Sequence, residues 1–447
     1  MAGNSLGRFF KITTFGESHG AAVGVLIDGV KPNMNISVAE IQKELNRRRP
    51  GQSVVTSSRK ESDRVEVLSG VFNGRTLGTP ICMLIRNKEQ DSAAYEAIKD
   101  LLRPGHAGYT YLSKYGIHDY RGGGRSSGRE TAGRVAAGAL ARQILGRRGI
   151  QIIAYTKEVG GIVAKKIDFN EIENNPVRCP DPVAAKRMQQ KILKTKNEGD
   201  SLGGVVEAVV KNCPAGLGEP VFDKLEADLA KALMSIPAVK GFEIGSGFAA
   251  VRMKGSQHND LFFKDKKTRR IKTKTNFAGG VLGGISNGED IVVRVAVKPP
   301  SSIPRLQTTV DIKGRKRRIK VVGRHDPCIC PRVVPVVESM VALVLTDHLM
   351  RQQMTRDSRT FQGVQQEMDF VDDMLLLLLS HRQELIHDLV RRKTRRGALS
   401  LVSKRENRML ASRLALAGEA GLSKSFIKKI YTTIFQHTQR TLAGACP

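Results

Sequence analysis

The chain has 447 residues, of which 40% are apolar and 44 are glycine, and it carries a formal charge of +30. That length exceeds one ordinary compact domain and the apolar share excludes a disordered chain, so two domains or one large one are expected. The charge points to anionic partners: nucleic acid, anionic lipid, or a small substrate rich in phosphate and carboxylate.

The N-terminus, MAGNSLGRFFK, lacks the charged-then-apolar pattern of a signal peptide. From Val23 to about residue 350, short β-branched runs alternate with helical patterns and Gly-rich turns. Residues 23–28 and 291–297 are expected as strands, and 130–147 and 333–350 as helices. Mixed elements without strict βαβ alternation predict α+β layers, and no internal repeat is visible. Near residue 355 the composition changes. Residues 372–393 are helical in pattern, with Met374, Leu375, Leu378, Leu379, Leu385 and Leu389 on or near one face. Two further helical stretches follow, about 403–417 and 423–442, broken at Gly418 and Gly421, with Ser423 as N-cap. The expected division is therefore 1–355, α+β, and 356–447, all helical. The longest apolar run, Met374 to Leu379, is too short to span a bilayer. The six cysteines form no CxxC pair, and Cys328 with Cys330 is too little for zinc. A soluble cytoplasmic protein with reduced thiols, no metal and no membrane partner is expected.

Four Gly-rich stretches stand out: GESHG at 16–20, RGGGRSSGR at 121–129, GGVLGGISNG at 279–288 and KPPSS at 298–302. Glycine lets a backbone approach a ligand, and successive N–H groups can cradle an anion. Singly, each stretch reads as a tight turn. Four together, three with embedded hydroxyl or charge, favour a ligand. None is GxxxxGK[ST] or a clean GxGxxG between strand and helix, which argues against nucleotide sites of those kinds. His19 in GESHG and His106 in RPGH sit in Gly-flanked loops, where imidazole can move a proton near neutral pH. A third charged cluster is GRHDP at 323–327.

Taken together, GESHGAAVGVLIDGVKP, DYRGGGRSSGRETAGRVAAGALA and GRHDPCICPRVVPVVESM resemble the three signature segments of chorismate synthases, in that family's order and spacing. NRRRPGQS, RPGHAGYTYLSKYG, SIPAVKGFEIGSGF and GGVLGGISNGEDI between them are similar too, so the resemblance covers residues 1 to about 355. It implies a layered β-α-β sandwich, a homotetramer, and 1,4-elimination of phosphate from 5-enolpyruvylshikimate 3-phosphate. That reaction needs reduced FMN, is redox-neutral overall, and admits NADPH as reductant. The resemblance accounts for the charge, because the substrate carries a phosphate and two carboxylates that guanidinium groups bind two-pronged. It implies His106 and His19 as acids and Asp326 as the residue assisting deprotonation at the flavin. Arg125, Ser126, Ser127, Ala238, Gly284, Lys298, Ser301, Ser302 and Arg324 match flavin-contacting positions. Arg48, Arg49, Arg103 and Arg129 match substrate clamps. Gly108 stands where the family has Asp, Pro300 where it has Thr, and Gly128 and Phe277 also depart.

The C-terminal segment, VDDMLLLLLSHRQELIHDLVRRK followed by SKRENRML, resembles the all-helical class of chorismate mutases. Arg382, Lys393, Arg405 and Glu406 fall at substrate-binding positions. Gln365 stands in place of an Arg, Val402 in place of an Asp, and Leu442 in place of the Gln or Glu that contacts the ether oxygen. Losing that donor removes electrostatic stabilisation of the rearrangement. The segment is expected to be a dimerising helical module with lost or reduced activity; the alternative is a bifunctional synthase–mutase. A nucleic-acid binder is the reading from another class. It is disfavoured by 5% aromatic residues and the absence of any nucleic-acid-reading motif.

Overall fold

Alternation of buried and exposed residues sets the two main sheets. In one, Val23, Val25 and Ile27 face Ile85, Met83 and Ile81 across an antiparallel register, and all six are buried. In the other, Val206, Ala208 and Val210 face Val295, Val293 and Ile291 in the same way. The period-two pattern puts these side chains on one face of each sheet, and that face is the core.

The structure, a computed structural model, describes residues 3–57, 59, 61–88, 93–266, 269–323, 325–355, 361–392, 406, 409–417 and 422–444. The first compact unit spans Met1–Thr355. It opens with β1 (Ser5–Leu6), β2 (Lys11–Gly16), β3 (Ala22–Asp28), α1 (Val38–Arg48), β4 (Val65–Val67), a hairpin of β5 (Val71–Phe72) and β6 (Arg75–Thr76), and β7 (Ile81–Arg86). A long connection carrying α2 (Ala93–Glu96) and α3 (Gly108–Tyr115) leads to α4 (Thr131–Gly146). Then follow β8 (Gln151–Val159), β9 (Ile162–Val163), α5 (Pro182–Asn197), β10 (Gly204–Lys211), α6 (Leu225–Met234), β11 (Val239–Ile244), α7 (Gly255–His258) and the β12–β13 hairpin (Phe262–Lys264, Ile271–Thr273). The unit closes with the β14–β15 hairpin (Val281–Leu282, Ile285–Ser286), β16 (Ile291–Val297), the β17–β18 hairpin (Leu306–Val310, Lys316–Lys320) and α8 (Cys330–Thr355).

The sheet orders are β1-β2-β3-β7-β4 and β9-β8-β10-β16-β11. Matched strand for strand, they reveal a repeat. Each half runs two strands, a helix, an edge strand, a tight hairpin, a central strand and a long helix. The sequence trace is thin but in register: Gly70-Val71, Gly74, Gly78 and Ile81 correspond to Gly280-Val281, Gly284, Gly288 and Ile291, a constant spacing of 210. This corrects the expectation of no repeat. Divergence left only the positive-φ glycines of the hairpins and the alternating apolar residues.

The paired long helices α4 and α8 lie between the sheets, making a β-α-β sandwich. Small residues bring α4 close to its neighbours. A methyl at Gly138 would overlap Ser339 of α8, and one at Gly133 would stand 2.8 Å from the Gly24 carbonyl of β3. α8 is long and apolar enough to cross a membrane, yet 94% of its apolar window is buried by the protein around it. It serves as the core helix of the sandwich.

The second unit, Arg356–Pro447, is helical in its described residues apart from Leu422 and Ser423. α9 (Phe361–Arg392) and α10 (Lys424–Gly444) frame it. Ser423 Oγ accepts the Phe426 N–H at 3.5 Å, as expected of an N-cap. Ile386, Ala417 and Phe435 are buried, whereas Leu375, Leu378, Leu379 and Leu385 of α9 remain exposed.

Candidate active site

The site grows from the connection between β7 and α4. At Gly122, Gly123 and Gly124 the backbone takes φ of 63°, 93° and 52°, the left-handed region that favours glycine. Each glycine abuts a different titratable group. A methyl at Gly122 would overlap the His19 ring. One at Gly123 would stand 3.0 Å from His106 Cε1 and 3.1 Å from its Nε2. One at Gly124 would stand 2.6 Å from Glu17 Oε2. The turn therefore brings together GESHG, RPGH and RGGGRSS, which the sequence analysis singled out separately.

His19 is buried, with Ser18 Oγ 3.1 Å from its Nδ1 and Tyr95 edge-on at 5.5 Å. His106 Nδ1 accepts the Gly108 N–H at 3.3 Å, which leaves the hydrogen on Nε2 in the neutral ring. Burial, with Arg103, Lys298, His118 and His325 nearby, pulls His106 down to about 3. It is neutral in the ligand-free protein. Burial also raises the Glu17 carboxyl; Asp119 adds to this and Arg125 opposes it.

The second half supplies the far wall. Lys298 Nζ donates to the Gly105 carbonyl at 2.8 Å, and a methyl at Gly105 would meet Ser301 Cβ at 3.2 Å. The KPPSS and RPGH turns are thus in contact. Ala238, at φ 70°, accepts the Lys298 N–H at 2.9 Å. Ser302 follows in the same turn. Burial, with Arg103 nearby, lowers His325. Arg103 lies 5.4 Å over the Tyr95 ring and has no carboxylate partner among the described residues.

Most other predicted residues are held by partners of their own. Arg48 and Arg129 do not face an open cleft. They are 1% and 5% exposed, and both are ion-paired to Asp63, Arg48 at 2.5 Å. Arg48 also donates to the Gly128 carbonyl at 3.2 Å and Arg129 to Asn87 Oδ1 at 2.7 Å. They pin the glycine turn from behind, whereas Arg49 and Arg103 have no carboxylate partner among the described residues. Asp326 is not a free base: its Oδ1 accepts the Ser57 N–H at 2.7 Å and its Oδ2 is ion-paired to Arg332. Arg125 is tied to β2, donating to Thr14 Oγ1 at 2.8 Å. Ser126 Oγ donates to the Gly123 carbonyl at 2.7 Å, and Ser127 Oγ accepts the Arg129 N–H at 3.3 Å. Those hydroxyls first serve the turn itself. Gly284 lies at the opposite end of β16 from Lys298, roughly 20 Å along the strand, packed on Lys224. Arg324 lies outside the described residues.

In the C-terminal unit, Arg382 donates to Thr438, lies 3.4 Å from Glu406 Oε1 and sits 6.0 Å over Phe435. Burial raises Glu406 and Arg382 opposes it. Lys393, Arg405 and Val402, and the side chains of Gln365 and Leu442, lie outside the described residues.

Half-buried bases, two histidines and a glycine turn thus meet in one place. The chorismate synthase family model matches residues 10–350, and the model for chorismate mutase type II matches 364–441. The chain belongs to the chorismate synthase family. It is 59% identical to the chorismate synthase of Methanosarcina mazei over 356 residues, covering 78% of this chain and 97% of that one. Identity to the Roseiflexus castenholzii chorismate synthase is 54% over 359 residues, covering 80% of this chain and all of the relative. A crystal structure of a chorismate synthase, 31% identical, superposes with a TM-score of 0.63 over 82% of this chain and 98% of that one. The activity is accordingly that of a lyase making chorismate from a small-molecule substrate.

The buried triad generates a test. Burial pushes the Asp63 carboxyl up, and Arg48 with Arg129 outweighs it, holding Asp63 at about 2 against an ordinary 3.8. A depressed carboxyl stabilises the fold fully above its unfolded value and loses that contribution as pH falls through its folded value. Asp63 should therefore contribute about 2 kcal/mol above pH ~4, lost toward pH ~2. In urea titrations over this range, Asp63→Asn should be less stable at pH 7 by about 3–5 kcal/mol, because two buried guanidiniums lose their counter-ion. A variant as stable as the parent at pH 7 would remove the triad from the account.

Proposed function

We propose that the cleft between the glycine turn and the KPPSS turn takes 5-enolpyruvylshikimate 3-phosphate together with reduced FMN, and that His106 and His19 hold the protons. The observation that carries this is the set of bases around His106: Arg103, Lys298, His118 and His325 all act on one imidazole. Buried cations lacking counter-ions are costly, and a polyanionic ligand relieves them. Reduced FMN fits the same requirement. Its phosphate is anionic, Gly105 and Gly123 leave faces that a side chain would fill, and Lys298, Ser301, Ser302 and Ser126 supply donors. When bound, it supplies the electron density that a redox-neutral 1,4-elimination draws on.

The residues' own chemistry follows from the field. With anions in place the local potential reverses, the His106 ring gains a proton, and its Nε2–H becomes an acid for the departing phosphate oxygen. His19, fixed by Ser18 and Tyr95, is the second proton holder. Arg49 and Arg103 pair with the substrate's anionic groups; Arg48, Arg129, Arg125 and Asp326 hold the loops in register. The enzyme is read as soluble, cytoplasmic and homo-oligomeric, the exposed leucines of α9 being one surface for self-association.

His106→Ala and His19→Ala should each lower kcat by about 10²-fold or more with the circular dichroism spectrum unchanged. A variant that keeps near-full turnover marks its histidine as structural.

The C-terminal unit has a separate role. The synthase match ends at 350 and α8 ends at Thr355, so truncation after residue 360 should leave chorismate formation largely intact. Full-length protein should form little prephenate, since Leu442 and Gln365 remove a donor and a cation from the position of developing charge. The match to the mutase family model is the one observation on the side of the bifunctional alternative. Prephenate formed at an enzymatic rate and abolished by Arg382→Ala would establish that alternative, and a folded truncation unable to make chorismate would contradict the division of labour.

A further inference from the structure

We propose that Tyr95 is a positioning residue for substrate binding: its ring seats the Arg103 guanidinium beside His19 and leaves free the charge and the N–H donors that the substrate's anionic groups need. The inference rests on the reading of Arg103 as a substrate clamp. Arg103 Cζ lies 5.4 Å over the Tyr95 ring. The same ring meets the His19 imidazole at 5.5 Å and 84°, edge to face. One aromatic ring is thus shared by an anion-binding base and one of the two histidines of the site.

The kind of partner sets what an arginine can still do. A carboxylate takes the guanidinium fork two-pronged and cancels its charge. Asp63 holds Arg48 and Arg129 in that way, and both serve the fold. An aromatic face attracts the same cation through its quadrupole, yet it carries no net charge and leaves the planar fork its donors. Among the described residues no carboxylate pairs with Arg103, and burial lowers it from the usual arginine range. A guanidinium nevertheless stays charged at neutral pH. Arg103 is therefore an anion site with its orientation fixed and its charge intact.

A ring can orient a neighbour only if it is itself held, and Tyr95 is held from two directions. His19 is buried, 3.1 Å from Ser18 Oγ, and so close to Gly122 that a methyl there would overlap it. Next to Tyr95 on α2, Glu96 accepts the Tyr120 hydroxyl at 2.7 Å and pairs with Lys99 at 2.5 Å. Tyr120 directly precedes Arg121 and the glycine turn, so α2 is tied to the turn that abuts His19. From α2 the chain returns to the site, where the His106 N–H donates to the Arg103 carbonyl at 3.2 Å. Arg103 is set in one frame with both histidines.

The test uses full-length protein, 5-enolpyruvylshikimate 3-phosphate and an excess of chemically reduced FMN. Tyr95→Leu should raise KM by about tenfold, and Tyr95→Phe should leave it within about twofold, because the phenyl face keeps the quadrupole. Phenylalanines with one, two and three ring fluorines, placed at position 95 by stop-codon suppression, keep the shape and weaken the face stepwise. KM should climb with each fluorine. In an Arg103→Ala background, itself with raised KM, Tyr95→Leu should add less than about twofold, since the contact it removes is already gone. A KM that ignores fluorination, or a Tyr95→Leu effect of the same size in the Arg103→Ala background, would make the ring a spacer and overturn the proposal. If Arg103→Ala leaves KM unchanged, the clamp reading itself falls. If it raises KM while Tyr95→Leu does not, only the role of Tyr95 falls.

Discussion

Three consecutive glycines with positive φ let a backbone turn lie against two imidazoles and a carboxylate at once. Any side chain at 122, 123 or 124 would push His19, His106 or Glu17 away. This constraint governs the site: the titratable groups are placed by what the turn lacks. The turn is in turn held from behind by a buried charge, with Asp63 pairing Arg129 and Arg48, and Arg48 reaching the Gly128 carbonyl. One carboxylate, at a φ of 44°, thereby ties the end of α1 to the start of α4.

The repeat explains where the site lies. In each half, one long connection joins the central strand to the long helix: residues 87–130 between β7 and α4, and 298–329 between β16 and α8. The first carries Arg103, His106, His118 and the glycine turn; the second carries Lys298, Ser301, His325 and Asp326. Equivalent segments of a duplicated fold meet, and the contacts from Lys298 and Ser301 to Gly105 are the seam. Each half contributes bases, so their union is strongly cationic and suited to a ligand with several negative charges.

Much of this was legible in the sequence. Strand 291–297 was read to the residue, and helices 131–146 and 330–355 were read within a few residues, because alternation and helical spacing are direct consequences of burying one face. The Gly-rich motifs marked the loops that form the site. Less legible was which arginines stay open. Arg47, Arg48 and Arg49 are adjacent, yet helical geometry buries Arg48, turns Arg47 to Glu44 and Glu338, and leaves Arg49 exposed. Asp63 gave no signal, since it sits in KESDRVEV as one charge among many, and only the fold brings it to Arg48 and Arg129. His118 was likewise invisible, because its approach to Gly108 depends on the reversal at Gly116. The duplication was hidden by divergence of everything except glycines and apolar spacing.

The central claim is that burial, with a ring of bases, keeps His106 neutral until an anionic ligand reverses the field. Proton uptake on binding tests it most directly, by calorimetry of substrate binding to the cofactor-free, full-length protein near pH 7 in two buffers of different ionisation enthalpy. The account predicts net uptake approaching about one proton per site, largely abolished in His106→Ala. Binding without uptake, or the same uptake in the variant, would contradict it.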